Sequence, residues 1–283
     1  MYYEKIAVAV AAIALAAVLN GAHWRIENRE PFHFSFSNDK ILDVDEINGT
    51  IHVIGDGGNT IRVEGERITR AEDQPAADRA KRDVKLDVNE KDSTAQLYVN
   101  GPFRDRNSAE DHGFHTHRDD NDYEVEYNFT VHVPRDTALR LRNVNGDIRT
   151  EDTRGKFDVA GVNGSVTMTG VDGYGSLHTV NGKTTAAFRD SPKQPSSFKT
   201  VNGAIEASFP ANLAADLHLK TLNGGAYTDF ETTLALPTTS QATERSNGRN
   251  VFRFDHSQNI RIGSGGPELS FETVNGDIRI KRS

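Results

Sequence analysis

The chain has 283 residues, 36% of them hydrophobic, and carries a formal charge of −8 with a pI near 5.7. That acidic balance argues against a nucleic-acid binder, which needs a basic face, and gives no support for docking on anionic lipid. There is no cysteine, which excludes disulfides, thiolate metal sites and lipidated cysteine anchors.

Residues 6–19 form an uninterrupted apolar run just behind Lys5. That is the length of a signal-peptide hydrophobic region and falls short of the roughly 20 residues a spanning helix needs. We read 1–23 as an export signal or, if uncleaved, a membrane anchor, and 24–283 as one domain. The aromatic run Trp24, Phe32, Phe34 and Phe36 is expected to cap the open end of a stack. Leu42–Ile68 reads as a first coil bent at Asn48-Gly49 and turned again at 55–59. Helix formers behind Pro75 predict a short helix near 74–83. Val84–Val88 and Ala95–Val99 read as strands. Residues 104–122 have almost no apolar side chain and read as a flexible polar loop. Tyr123–Pro134 alternates strongly and enters the main repeats. Pro237–Asn250 reads as a second polar loop, followed by short strands at Val251–Asp255 and Asn259–Ile262.

The organising signal is a recurring Asn-Gly pair behind a branched apolar residue. The copies are Asn48-Gly49, Asn145-Gly146, Asn163-Gly164, Asn181-Gly182, Asn202-Gly203, Asn223-Gly224 and Asn275-Gly276. From Asn145 to Asn223 the steps are 18, 18, 21 and 21 residues, a period that marks a solenoid or strand array. Four residues before the Asn stand Val44, Leu141, Val159, Leu177, Phe198, Leu219 and Phe271. Three after it stand Ile51, Ile148, Val166, Thr184, Ile205, Ala226 and Ile278. Each repeat is thus a period-2 strand, a corner and a second period-2 strand, with intervening Arg, Lys, His, Asp, Glu and Thr on a solvated face. Two architectures fit. Asn-Gly also favours two-residue hairpins, so an antiparallel meander is the alternative. A hairpin would expose the residue just before each Asn. A β-solenoid of 18–21-residue coils is expected to turn it inward, with the Asn amides in a ladder. We favour the all-β solenoid on that ground.

The densest set of metal-ligand types is His112, His115 and His117 with Asp119 and Asp120 in the polar loop. Its spacing matches no defined site, and a solvated loop is the plainer reading. Asp147, Asp152, Asp158, Asp172 and Asp277 read as ordinary strand or corner carboxylates. There is no nucleophile elbow, phosphate loop, dinucleotide fingerprint or His-Glu zinc motif, so no catalytic residue and no cofactor are assigned.

The stretch 127–148, YNFTVHVPRDTALRLRNVNGDI, with the Val-Asn-Gly copies that follow it, resembles a bacterial "putative adhesin" family of domains of unknown function. The likeness covers roughly residues 40–283. It implies a β-solenoid on an envelope or surface protein, and it brings no catalytic residues. The expected role is therefore non-enzymatic: a scaffold bound to a glycan, peptidoglycan or protein partner, touching membrane only through its N-terminal segment. The outward residues Arg140, Arg142, Lys156, Asp158, His178, Lys199, His218, Lys220 and Glu272 are the first to inspect. A carbohydrate-active enzyme and a membrane-anchored envelope stress or signalling accessory are the alternative classes.

Overall fold

The computed structural model describes residues 13–14, 24–104, 122–234, 244–246, 249–251 and 257–283. Among the described residues the fold is all-β with one short helix. No helix among the described residues is long and apolar enough to cross a membrane. The expected export segment and the His112–Asp120 group lie outside the described residues, apart from the backbone of Ile13–Ala14. The chain divides into two compact units, Met1–Gly146 and Asp147–Ser283.

In the first unit, the strand Ile26–Ser37 pairs antiparallel with Thr60–Ala71 over twelve residues. Thr60–Ala71 pairs antiparallel with Tyr123–Pro134. The long strand Ile41–Asp56 runs straight through its Asn48-Gly49 corner. Its second half pairs parallel with Tyr123–Pro134, and its first half with Thr94–Asn100 and Leu139–Asn145. The expected first coil at 42–68 is therefore corrected. Residues 60–68 belong to a mixed sheet, drawn there by two long alternating partners that bury Ile61, Val63 and Ile68. Phe32 and Phe36 lie on Ile26–Ser37, the strand that Ile13–Ala14 also pairs at Asn28 and Arg29. The Phe32 ring lies 5.4 Å from Phe129 and 6.0 Å from Tyr127.

The helix is Gln74–Asp83. Asp73 caps it, accepting from the Ala76 N–H at 2.8 Å, and Pro75 fits a first turn whose N–H groups have no helical acceptor. Ala76, Ala77 and Ala80 are its buried face, and Ala76 and Ala77 cluster with Ala71, Ile26 and Tyr123.

The second unit is built from strand–corner–strand segments that pair parallel with one another. The strands ahead of the corner form one ladder, Lys156–Asn163, Tyr174–Asn181, Ser196–Asn202, Glu268–Asn275 and Ala215–Asn223, in that spatial order. The strands behind the corner form another, from Ile148–Glu151 through Val166–Val171, Thr184–Phe188, Ile205–Phe209 and Ile278–Arg282 to Ala226–Thr228. The two sides of a corner thus belong to different ladders, so these corners do not close the hairpins of the alternative meander. The spatial order differs from the chain order at one place. The last segment, 268–282, slots between the copies at Asn202 and Asn223, and Ser257–Ile262 covers Ala215–Asn223 antiparallel.

The inward rows are as the alignment places them except behind the Asn223 corner, where Ala226 is exposed. Val159, Leu177, Phe198, Phe271 and Leu219 stand in register and are all buried. Phe198 stacks on Phe271 with centroids 4.9 Å apart, and Phe188 stacks on Phe209 at 4.8 Å. Each such ring removed from water contributes roughly 1.5–3 kcal/mol.

Candidate functional site

The corner row of the second unit is the most regular surface feature. It arises from strict strand alternation carried up to the Asn itself. Residues six, four and two before each Asn point inward, so the residue one before must point out. Val162, Val201, Leu222 and Val274 are 38%, 40%, 59% and 38% exposed, and Val180 is half-buried. The inward placement expected for this residue is wrong in this unit. The inward position is instead two before the Asn, where Thr179, Thr200, Thr221 and Thr273 are buried.

Those threonines were read as a solvated face because threonine is polar. Each hydroxyl finds an acceptor at a neighbouring corner. Thr179 donates to Gly164 O at 3.1 Å, Thr200 to Gly182 O at 3.2 Å, Thr273 to Gly203 O at 3.0 Å, and Thr221 to Gly276 O at 2.9 Å. A buried hydroxyl without a partner costs about 1–3 kcal/mol, so this bond is what lets threonine occupy the interior. The recurring Thr-Val-Asn-Gly phrase carried the signal.

Outside the Val/Leu row lies a ladder of amides. Asn181 Nδ2 donates to Asn163 Oδ1 at 2.9 Å, Asn202 to Asn181 at 2.8 Å, Asn275 to Asn202 at 2.7 Å, and Asn223 to Asn275 at 2.7 Å. In the first unit Asn145 donates to Asn48 at 2.7 Å in the same sense. The glycine after each Asn is fixed by contact. A Cβ on Gly182, Gly203, Gly224 or Gly276 would stand 2.0 Å from a carbonyl oxygen of the adjacent corner. The row of Val162, Val180, Val201, Val274 and Leu222 spans four strand steps, roughly 19 Å at ~4.8 Å each.

Several of the outward residues are engaged with neighbours on the surface. Lys199 meets Glu272 at 3.1 Å, and Arg140 meets Asp43 at 3.2 Å. Asp158 accepts from Ser176 at 2.8 Å, and the His218 ring nitrogen Nδ1 lies 2.7 Å from Asn259. Among the carboxylates, Asp147 and Asp277 accept backbone N–H bonds from Ser165 and Gly225, while Asp152 and Asp172 pair with Arg189. Asp152 and Asp172 are thus brought together on one guanidinium.

One ionisable group in the first unit lies deep inside. Glu46, two before Asn48, is 1% exposed where most later copies have threonine. Its Oε1 accepts from the Asn48 N–H at 2.8 Å, and its Oε2 has no partner among the described residues. Burial pushes its carboxyl well above the usual range, offset in part by the Asn48 and Ile47 N–H groups and by Arg104. Its register partner is Asn143, whose Nδ2 donates to Gly49 O at 2.9 Å and whose Oδ1 is likewise unpartnered. Alternation places Glu46 on the inward side of its strand, a position its charge argued against.

No family model and no curated protein matches the chain. Among solved structures, a "putative cell adhesion protein" from Clostridium sporogenes is 9% identical, with 89% of this chain and 100% of that chain covered and a TM-score of 0.39. A "putative adhesin" from Bacteroides fragilis is 11% identical, with 89% and 97% covered and a TM-score of 0.36. A "putative lipid binding protein" from Parabacteroides distasonis is 9% identical, with 89% and 96% covered and a TM-score of 0.28. Likeness at this level carries no argument about fold detail or function.

Proposed function

We propose that this chain is a non-enzymatic, exported binding protein whose parallel array is a β-solenoid, and that the corner row of its second unit holds an extended glycan strand of the cell envelope or surface. The observation that carries the reading is the pairing of two equally spaced rows. One is an exposed stripe of Val and Leu. The other is the amide ladder beside it, in which each interior Asn spends one N–H and one lone pair on its neighbours. An amide has two donors and two lone pairs, so one of each remains at every interior rung to face a ligand. A sugar polymer offers the complement, apolar C–H faces alternating with hydroxyls. Weak contacts repeated along a rigid row add up, since each further contact is intramolecular once the first has formed. The export reading rests on the apolar run at 6–19, which also accounts for contact with membrane only at the N-terminus.

The test is a binding screen of the full chain against glycan and peptidoglycan preparations, set beside a variant carrying Val162→Ser, Val201→Ser, Val274→Ser and Leu222→Ser. These side chains are exposed, so the variant is expected to stay folded with small losses per site. Binding by the parent and a loss of about tenfold or more in the variant is the expected result. Undiminished binding by a folded variant overturns the assignment of the row, and binding of protein partners alone overturns the glycan.

A further inference from the structure

We propose that Asn223-Gly224, the last corner of the second unit's array, is a site of spontaneous deamidation, and that the stack shields the other four corners of that unit from the same reaction. Asn-Gly is the dipeptide most open to this chemistry, because glycine leaves its own nitrogen unhindered. The Gly224 backbone nitrogen attacks Asn223 Cγ. A ring C–N bond forms, the bond from Cγ to the side-chain nitrogen breaks, and the proton lost from Gly224 leaves with that nitrogen as ammonia. One water then opens the resulting succinimide at either carbonyl, giving aspartate or isoaspartate. One water is consumed, one ammonia is released, and nothing is oxidised or reduced.

The reaction requires a glycine N–H free to lose its proton and an asparagine side chain free to swing over it. Four corners lack the first. Gly164 donates to Asn181 O, Gly182 to Asn202 O, Gly203 to Asn275 O and Gly276 to Asn223 O, each at 3.0 Å. Asn181, Asn202 and Asn275 also lack the second, because both side-chain atoms are held, Nδ2 by one neighbour and Oδ1 by the next. Asn223 occupies the end of the ladder. Its Nδ2 donates to Asn275, but among the described residues nothing donates to its Oδ1 and no acceptor meets the Gly224 N–H. Both residues are exposed. The inner corners must open locally before they can react, whereas the end corner carries neither restraint among the described residues.

The product would alter the array at its end. An aspartate at 223 lacks the Nδ2–H donor and sets two acceptors face to face at Asn275 Oδ1, and an isoaspartate adds a methylene to the backbone at the bend.

The test uses the full chain, incubated folded at mildly alkaline pH in heavy-oxygen water, with timed peptide mapping by mass spectrometry. Conversion at Asn223 is expected to run about tenfold or more ahead of Asn163, Asn181, Asn202 and Asn275. In urea the five corners should react within a few-fold of one another. Equal rates in the folded chain, or a faster inner corner, overturns the proposal. A lead for Asn223 that persists undiminished in urea also overturns it, since the cause would then be local sequence rather than the stack.

Discussion

Replacing Phe271 by alanine tests whether the C-terminal strand is interior to the array. Phe271 is fully buried, with its ring stacked on Phe198 at 4.9 Å and 10° and edge-on to Phe209 at 6.5 Å. A buried Phe→Ala change costs about 3–5 kcal/mol through lost transfer energy and the cavity left behind. Two ring partners, each worth ~0.5–1.5 kcal/mol beyond area, place this site toward the upper end, about 4–5 kcal/mol. That is about a quarter or more of the ~5–15 kcal/mol a domain commands. For a unit of this size the melting temperature should fall by roughly 12–15 °C, at ~3 °C per kcal/mol. The assay is thermal and urea unfolding of the full chain by far-ultraviolet circular dichroism, beside Val274→Ala on the same strand. Val274 is 38% exposed, so its truncation should cost about 1 kcal/mol or less. A loss at Phe271 no larger than at Val274 would refute the interior placement of residues 268–282.

Glu46→Gln is expected to stabilise the chain increasingly as pH rises. The folded carboxyl is shifted up by burial, so its favourable contribution is complete below the unfolded value of about 4.3 and is lost as pH climbs toward its raised folded value. Glutamine has no such loss. Urea midpoints of both proteins from acid to mildly alkaline pH check this, and a gap that fails to widen with pH rules it out. At the corners, Gly182→Ala would place a Cβ 2.0 Å from Gly164 O, a backbone atom that cannot step aside, and should cost roughly 2–3 kcal/mol. Gly57→Ala meets nothing within 4 Å and should stay within about 0.5 kcal/mol. Equal urea midpoints for the two variants would contradict the corner packing.

Much of this architecture was legible because alternation is a local property. The inward rows at Phe198 and Phe271, the bend at each Asn-Gly and the helix behind Pro75 follow from spacing and residue type alone. Three features did not follow. The residue before each Asn was placed inward on the argument that Val and Leu seek cover, yet period-2 geometry is stronger at the corner and leaves Val201 and Leu222 outside. The threonines were judged by polarity, when a corner carbonyl one rung away satisfies them. The order of the copies was hidden because the repeats are equivalent. The pattern around Asn275 suits any neighbour whose inward row is Phe or Leu, and it pairs with both Asn202 and Asn223. In the first unit, Thr60–Ala71 alternates as a coil strand would, and only its long antiparallel partners reveal the mixed sheet. The glycan row remains a proposal resting on exposure and spacing, features that appear once the strands are placed.

Insertion of the final segment between two earlier ones has a consequence for biogenesis. Residues 196–209 and 215–228 are synthesised well before residue 268, yet residues 268–282 form the rung that joins them. The second unit cannot close rung by rung in the order its segments are made. Two inner edges must stay open until residues 268–282 arrive, and so deleting that segment would forfeit the middle of the array rather than its tip.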